Sequence, residues 1–343
     1  MKDFELLVLP GTNPSGVSMT RDILAAAALF ATRQGGPVPT WGLYSPRGGR
    51  VELQGGISAE TKRLPGRVAA SRSILLVPGI WVGDVRELRT RLASDDVRRA
   101  VRQIAAHVAN GGQVAASCSS TFLLQAAGVL DGRQATTAWW LVPELARIAG
   151  QTHVDASRIL CVDGPVITSG AAFAQSDVMV YLLRQRFGAK IAEGVSRVLL
   201  LHERGEQAQF VMPAMLAAGD ALVTRLTERV EAALPDVPAV SRLAAELCVS
   251  ERTLARHVLR ATGMGTTALV QSVRLHRARS LLQGSRMSIE QIAAAVGYRD
   301  TTALRRLVRK AAGTTPGGLR GQSAVGKTRA TTVRMPRRAR AAP

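Results

Sequence analysis

The sequence predicts two domains of different class: a doubly wound α/β domain over roughly the first 205 residues, and an all-α domain with two helix-turn-helix units nearer the other end. Three observations predict this. Short apolar runs closed by Pro, Gly or polar residues alternate with helical stripes, the pattern of a parallel sheet covered on both faces. Between residues 239 and 322 a short apolar stripe, a break and an arginine-studded helix occur twice. The charge is also uneven: of a net +20 over 343 residues, residues 231–343 hold 20 Lys or Arg against 6 Asp or Glu. A chain of that length has room for two cores.

In order, Phe4 to Leu9 is a strand ending at Pro10-Gly11, and Met19 to Ala31 is an alanine-rich helix. Trp41 to Tyr44 and Val51 to Leu53 are short strands, and Ser73 to Val77 is a buried strand closed by Pro78-Gly79. Helices follow at Asp84 to Leu92 and Asp96 to Ala109, a strand at Gln113 to Ala116 and a helix at Ser119 to Ala127. Ile159 to Cys161 and Val166 to Thr168 form a late strand pair, with a helix opening near Ala171. Ligand sites in such sheets lie beyond the carboxyl ends of the strands. Cys118 sits at such an end.

Pro213 to Glu231 reads as a connecting helix, and Pro235 to Pro238 as the domain junction. The expected domains are 1–205, a connector at 206–238, the helical domain at 239–322 and a basic tail at 323–343. In the first helical unit Val240, Leu243, Ala244 and Leu247 form a stripe, Cys248-Val249-Ser250 is the turn, and Ser250 caps the next helix. There Leu254, Val258 and Ala261 face inward, leaving Arg252, Thr253, Arg256, His257 and Arg260 to point outward. Ala268, Leu269, Val273, Leu275, Ala278, Leu281 and Leu282 outline a linking helix whose Arg274, Arg277 and Arg279 are expected in solvent. The second unit repeats the scheme. Ser288 caps Ile289, Ile292, Ala293 and Val296, Gly297 breaks the helix, and Thr301, Thr302, Arg305, Arg306 and Arg309 are displayed. Outward arginines on a helix that fits the major groove can fork onto guanine or clamp phosphate. Basic charge alone would also fit RNA or an anionic membrane. The helix pair selects duplex DNA.

Composition bounds the rest. Cys118, Cys161 and Cys248 show no CxxC spacing and no zinc-like histidine arrangement, so neither a metal nor a disulfide framework is expected, and a reducing cytoplasm is favoured. The N-terminal MKDFELLVLPG lacks signal-peptide features, and no apolar run reaches spanning length. No cofactor is expected. The tail, with Lys327, Arg329, Arg334, Arg337, Arg338 and Arg340 and no acid, reads as disordered, either solubilising or clamping DNA nonspecifically.

The runs LAAELCVSERTLARHVLRATGMG, VRLHRARSLL, and SIEQIAAAVGYRD with TTALRRLVRKAAGTTPGGLR resemble the AraC-type DNA-binding domain. The resemblance implies seven helices and two recognition helices in successive major grooves. By motif position, contacts fall on Arg252, Thr253, Ala255 and Arg256, and on Thr301, Thr302, Arg305 and Arg306, with Arg260 and Arg309 on the same faces. Cys248 stands where that family usually has a turn glycine, Leu304 and Val308 where it often has aromatics, and Leu319 where it often has tyrosine.

The stretch GGQVAASCSSTFLLQAAGVLDGRQATTAWW resembles the nucleophile elbow of the PfpI-like, class I glutamine amidotransferase-like superfamily, which implies a flavodoxin-like fold. A sharp strand-to-helix turn aims backbone N–H groups at Cys118, which can activate a thiol or hold an anion. Catalysis needs a base as well. The histidine that family places after ATT is Ala138 here, followed by Trp139-Trp140, and the first loop, Thr12-Asn13-Pro14-Ser15-Gly16, lacks its acid. Of the other histidines, His107, His153 and His202 are expected on helix surfaces or loops. Cys118 therefore fills a tight turn, touches a ligand or senses redox state; Ser15, Ser119, Ala138 and Trp139 are the expected neighbours of such a ligand.

Together the two resemblances cover nearly the whole chain and match the GlxA-type branch of AraC-family regulators. They imply a cytoplasmic, non-enzymatic, dimeric transcription regulator with promoter DNA, a small nitrogenous effector and RNA polymerase as partners. The rivals are a Cys118-dependent hydrolase or amidase with accessory DNA binding, and an architectural DNA protein with a dimerisation scaffold.

Overall fold

The computed structural model describes residues 2–65, 73–201, 220–312 and 315–318. They form two compact units, Met1–Ala232 with Pro238–Val273, and Ala233–Val237 with Arg274–Pro343.

The first unit is built on an eight-stranded sheet. Its strands are β1 (Phe4–Leu7), β2 (Trp41–Ser45), β3 (Gly49–Glu52), β4 (Ser58–Arg63), β5 (Ile74–Val77), β6 (Gln113–Ser117), β9 (Leu160–Asp163) and β10 (Val166–Ser169), in the order β3-β4-β2-β1-β5-β6-β10-β9. The centre is parallel, as expected. Both edges depart from the all-parallel expectation, since β3 pairs β4 and β9 pairs β10 antiparallel. β4 was not anticipated because SAETKR carries one buried residue, Thr61, too few for a periodic signal. The two-residue strands β7 (Gln134–Ala135) and β8 (His153–Val154) pair separately.

Alternation along β1 divides the core. Phe4, Leu6 and Val8 join one cluster, while Leu7 and Leu9 join the other, as a two-residue side-chain period requires. The first face is covered by α1 (Pro14–Gln34), α6 (Gln175–Phe187) and α7 (Ala189–Val198), the second by α3 (Asp95–Ala109) and α4 (Thr121–Ala126). α2 (Val85–Leu92) and α5 (Val142–Ile148) flank a third apolar cluster around Cys118.

The first helix-turn-helix also belongs to this unit. α8 (Ala221–Ala232) buries Leu222, Val223, Leu226 and Val230, α9 (Val240–Glu246) buries Leu243 and Ala244, and α10 (Glu251–Thr262) buries Leu254 and Val258. Residues 213–219 of the expected connecting helix lie outside the described residues. Its described part is no spacer: α8 packs on α10, and Arg229 pairs with Glu246 at 2.8 Å. The compact units thus differ from the expected boundaries at 205 and 238, because an apolar stripe at 222, 223, 226 and 230 buries itself only against a partner.

α11 (Thr266–Gly284) runs from the first unit into the second. In the second unit Leu275, Ala278 and Leu282 pack with Ile292, Ala293 and Val296 of α12 (Ile289–Ala295) and its end, and with Leu304 and Val308 of α13 (Thr301–Ala312). Leu304 and Val308 are fully buried, aliphatic fillers of sites expected to take larger rings. Arg279 is a correction: it is 8% exposed rather than solvated. Arg274 is half-buried and lies over the Tyr298 ring at 5.5 Å; Arg277 is exposed. Leu319 and the tail lie outside the described residues.

Candidate ligand cleft and nucleic-acid interface

Where β6 meets α4, Cys118 adopts φ +55°, a left-handed conformation that L-residues hold only when surroundings enforce it. The enforcement is visible. Cys118 N donates to Gly170 O at 2.7 Å, and Thr137 Oγ1 donates to Cys118 O at 2.7 Å. Ser119 Oγ bonds both Ile80 N and Ile80 O, and Ser120 Oγ donates to Pro78 O at 2.7 Å. A Cβ at Gly79 would come within 2.8 Å of Cys118 Cβ, so only glycine lets the neighbouring loop pass this turn.

The elbow is chemically quiet. Burial drives the Cys118 thiol up to about 11, against smaller opposing contributions from Ser119. At pH 7 roughly one thiol in ten thousand is ionised. Ala138, standing where a histidine was expected, is fully buried beside Cys118 with Phe122, Leu141 and Leu145. Of the other histidines, His107 is a correction: it is 2% exposed and bonds Gln113 O at 2.9 Å, inside α3 rather than on its surface. His153 is exposed, and His202 lies outside the described residues.

Cys118 forms part of the floor of a cleft of about 870 Å³. That volume suits a small molecule. Its walls include Asn13 from the loop before α1, Ile80 to Arg86 around the start of α2, and Trp140, Pro143, Glu144 and Arg147 from α5. Four expected neighbours need correction. Asn13 rather than half-buried Ser15 reaches the cleft, because Pro14 at the helix start turns Ser15 into the first turn of α1. Ser119 is spent on Ile80. Ala138 is sealed in the core, and Trp140 lines the cleft while Trp139 stands edge-on behind it, 5.3 Å away at 84°. Glu144 receives Arg147 at 2.8 Å and Arg89 at 3.0 Å; those bonds, Arg147's first, hold its carboxyl below the usual range against burial.

The cleft has a further wall that sequence patterning did not reveal. Asp220, Arg260 and Ala261, from the start of α8 and the end of α10, also line it. Arg260 was expected to face DNA like its neighbours; here its Nη2 donates to Asp220 Oδ2 at 3.0 Å, beside His257 Nδ1 at 2.7 Å. Burial pushes the Asp220 carboxyl up, but the bonds from His257 and Arg260 and from the backbone of Val223 outweigh it and keep it low.

On the nucleic-acid side, Ser250 Oγ accepts from Thr253 N at 3.1 Å and caps α10, as expected. The same hydroxyl bonds Thr253 Oγ1, which occupies that side chain locally. Arg252, Ala255 and Arg256 are exposed, and neither arginine pairs with an acid among the described residues. Leu259, 58% exposed on this face, was not foreseen. In the second unit Ser288 and Gln291 form a reciprocal capping box on α12. α13 displays Thr302, Arg305, Arg306 and Arg309, with Thr301 half-buried at its start. Both turns are left-handed, at Cys248 (φ +57°) and Gly297 (φ +82°).

Among the described residues no group of three or more His, Cys, Asp or Glu could hold a metal, and no helix is long and apolar enough to cross a membrane.

Residues 243–322 match a family described as a helix-turn-helix domain, and residues 69–185 match the DJ-1/PfpI family. The HTH-type transcriptional regulator GlxA of Rhizobium meliloti is 28% identical over 311 residues, spanning 88% of this chain and 90% of that protein. The HTH-type transcriptional regulator CdhR of Pseudomonas aeruginosa is 24% identical over 311 residues, spanning 90% and 88%. A crystal structure of an AraC family transcriptional regulator from Pseudomonas putida aligns at 20% identity over 57% of this chain and 98% of that one, with a TM-score of 0.46.

Proposed function

We propose that this chain, whose residues 243–322 match a helix-turn-helix family and whose residues 69–185 match the DJ-1/PfpI family, is an AraC-type transcription regulator in which the DJ-1/PfpI domain is a non-catalytic sensor and the Cys118 cleft binds a small effector. The observation that carries the proposal is the pairing of a formed cleft with an unreactive elbow: a protonated, buried thiol beside Ala138, with no histidine among the described residues that line the cleft. Nucleophilic turnover needs a thiolate and a base. Binding needs neither.

In this reading the effector is a small nitrogenous metabolite, the protein is a cytoplasmic homodimer, and it acts on promoters with RNA polymerase. Arg252, Ala255 and Arg256 read bases or phosphates in one major-groove turn, and Thr302, Arg305, Arg306 and Arg309 in the next, with Thr253 and Thr301 at the helix starts. An effector that prefers one arrangement of the protein shifts operator affinity by its differential binding free energy.

Mapping bound DNA across the native genome, with and without Cys118→Ala, tests the proposal. Discrete promoter peaks that persist in the variant are expected, along with no Cys118-dependent amidase, protease or glyoxalase-type turnover. A robust turnover abolished by Cys118→Ala would overturn the sensor reading, and binding without sequence preference would favour an architectural role.

A further inference from the structure

The acids around the cleft are already committed. Asp84 caps α2 by accepting from Glu87 N at 2.7 Å, and both oxygens of Glu144 receive arginines. Asp220 Oδ1 accepts from Leu222 N at 3.1 Å while its Oδ2 holds His257 and Arg260. Of the cleft's bases Arg147 is held by Glu144, but Arg86 and Arg260 keep donors to spare. Arg86 pairs with no acid among the described residues. Arg260 bonds its partners through Nη2 alone, and its side chain is 65% exposed, so its remaining donors face open space. Trp81, 53% exposed, and Trp140 line the same cleft and supply apolar surface.

We propose that the cleft is a two-part site for a small organic carboxylate, in which the first helix-turn-helix supplies Arg260 as a binding residue, Asp220 positions it, and the ligand's apolar body lies on Trp81 and Trp140. The inference rests on the effector reading of the cleft. A ligand whose carboxylate meets Arg260 of α10 and whose body lies on Trp81 and Trp140 of the sensor touches both walls, so its binding favours the arrangement in which α10 sits against α5. Such differential contact is what a ligand needs in order to shift an equilibrium. It also assigns Arg260 a task different from that of Arg252 and Arg256, which precede it on the same helix.

The full-length protein, free of DNA, is titrated with 3-phenylpropionate and with its neutral amide, tryptophan emission giving the signal. The acid is expected to saturate and to bind at least about tenfold more tightly than the amide, the typical worth of a charge-assisted hydrogen bond. Arg260→Gln removes that preference and leaves the amide unchanged, Arg260→Lys restores part of it, and Asp220→Asn weakens the acid less than Arg260→Gln does. Hydrogen exchange over residues 251–262 slows with the acid in the wild type but not in Arg260→Gln.

If Arg260→Gln binds the acid as the wild type does while Arg86→Gln and Trp140→Ala weaken it, the helix-turn-helix wall is wrong and the effector cleft stands. Should Trp140→Ala also leave binding unchanged, the cleft reading falls with it. Equal affinity for acid and amide, or no saturable binding, overturns the carboxylate assignment.

Discussion

Gly297→Ala is the sharpest stability test, because two independent costs meet at one atom. The residue holds φ +82°, where a side chain costs about 1–2 kcal/mol. The added Cβ would also lie 2.2 Å from Pro235 O and 3.3 Å from Pro235 C. A backbone oxygen cannot rotate aside as a side-chain tip would, so the segment at 233–237 must move by about an ångström, an overpacking cost of about 1–3 kcal/mol. Lower entropy of the unfolded alanine chain returns about 0.4–1 kcal/mol. The net loss is about 1–5 kcal/mol, borne by the second unit, whose described core is one small cluster. A single melting temperature is ill-defined for a chain of two units, so hydrogen exchange read by segment is the assay. Protection over residues 289–296 should fall at least about fivefold, with β5 and β6 unchanged, since 1.4 kcal/mol is about tenfold. A loss under about fivefold would refute the clash argument.

Cys248→Gly is the reciprocal experiment: relieving a non-glycine at φ +57° should stabilise the first helix-turn-helix by up to about 1 kcal/mol, read by exchange over residues 251–262. Arg252→Ala or Arg256→Ala should cost about 1–3 kcal/mol and relax preference at a local operator position in selections from randomised duplexes, whereas Arg306→Ala should weaken all sequences alike. Unchanged affinity and preference in all three folded variants would show that the recognition faces are misassigned. Deleting residues 323–343, which carry six Lys or Arg, should flatten the slope of log affinity against log salt by about 0.9 for each phosphate the tail neutralises, with operator preference retained. Cys118 and Cys161 both have folded values raised by burial from 9.0 to about 11. The native state therefore keeps protons that the unfolded chain releases between those values, so stability is whole below about pH 9 and falls as pH rises through about 11. Cys118→Ser should shallow that decline, measured by urea unfolding across the window, and leave effector-free DNA affinity nearly unchanged.

What the sequence made legible follows from period and punctuation. FELLVL and ILLV read as strands because burial on both sheet faces demands continuous apolar runs, and Ser250 and Ser288 read as caps because a hydroxyl before an apolar stripe has an orphan N–H to satisfy. The elbow at Cys118 was legible from strand, turn and helix in succession. Hidden features were those fixed by partners far along the chain. β4 lies one strand in from the edge, and its pairing with β3 and β2 decides its place, not its composition. Arg279 carries a charge on a helix whose pattern places it at the surface, and tertiary packing around the second unit buries it. Trp139 and Trp140 are adjacent and chemically alike, so which one meets the cleft depends on how Leu141 and Leu145 anchor α5.

Arg260 is the most instructive of these, since the charge excess correctly marked its region and said nothing about its direction. Helical spacing puts it one turn beyond Arg256, on the way round to the buried stripe, and Asp220, 40 residues earlier, settles where it points. In the proposed reading, with Arg260 in the cleft wall and Arg252 and Arg256 toward DNA, one helix carries contacts to both ligands. A ligand that fastens α10 to α5 must then alter operator affinity by the same factor by which operator DNA alters the affinity for ligand. Titrating 3-phenylpropionate with and without operator, and operator with and without 3-phenylpropionate, closes that cycle. Arg260→Gln should bring both coupling factors to one together, because linkage forbids one from surviving the loss of the other.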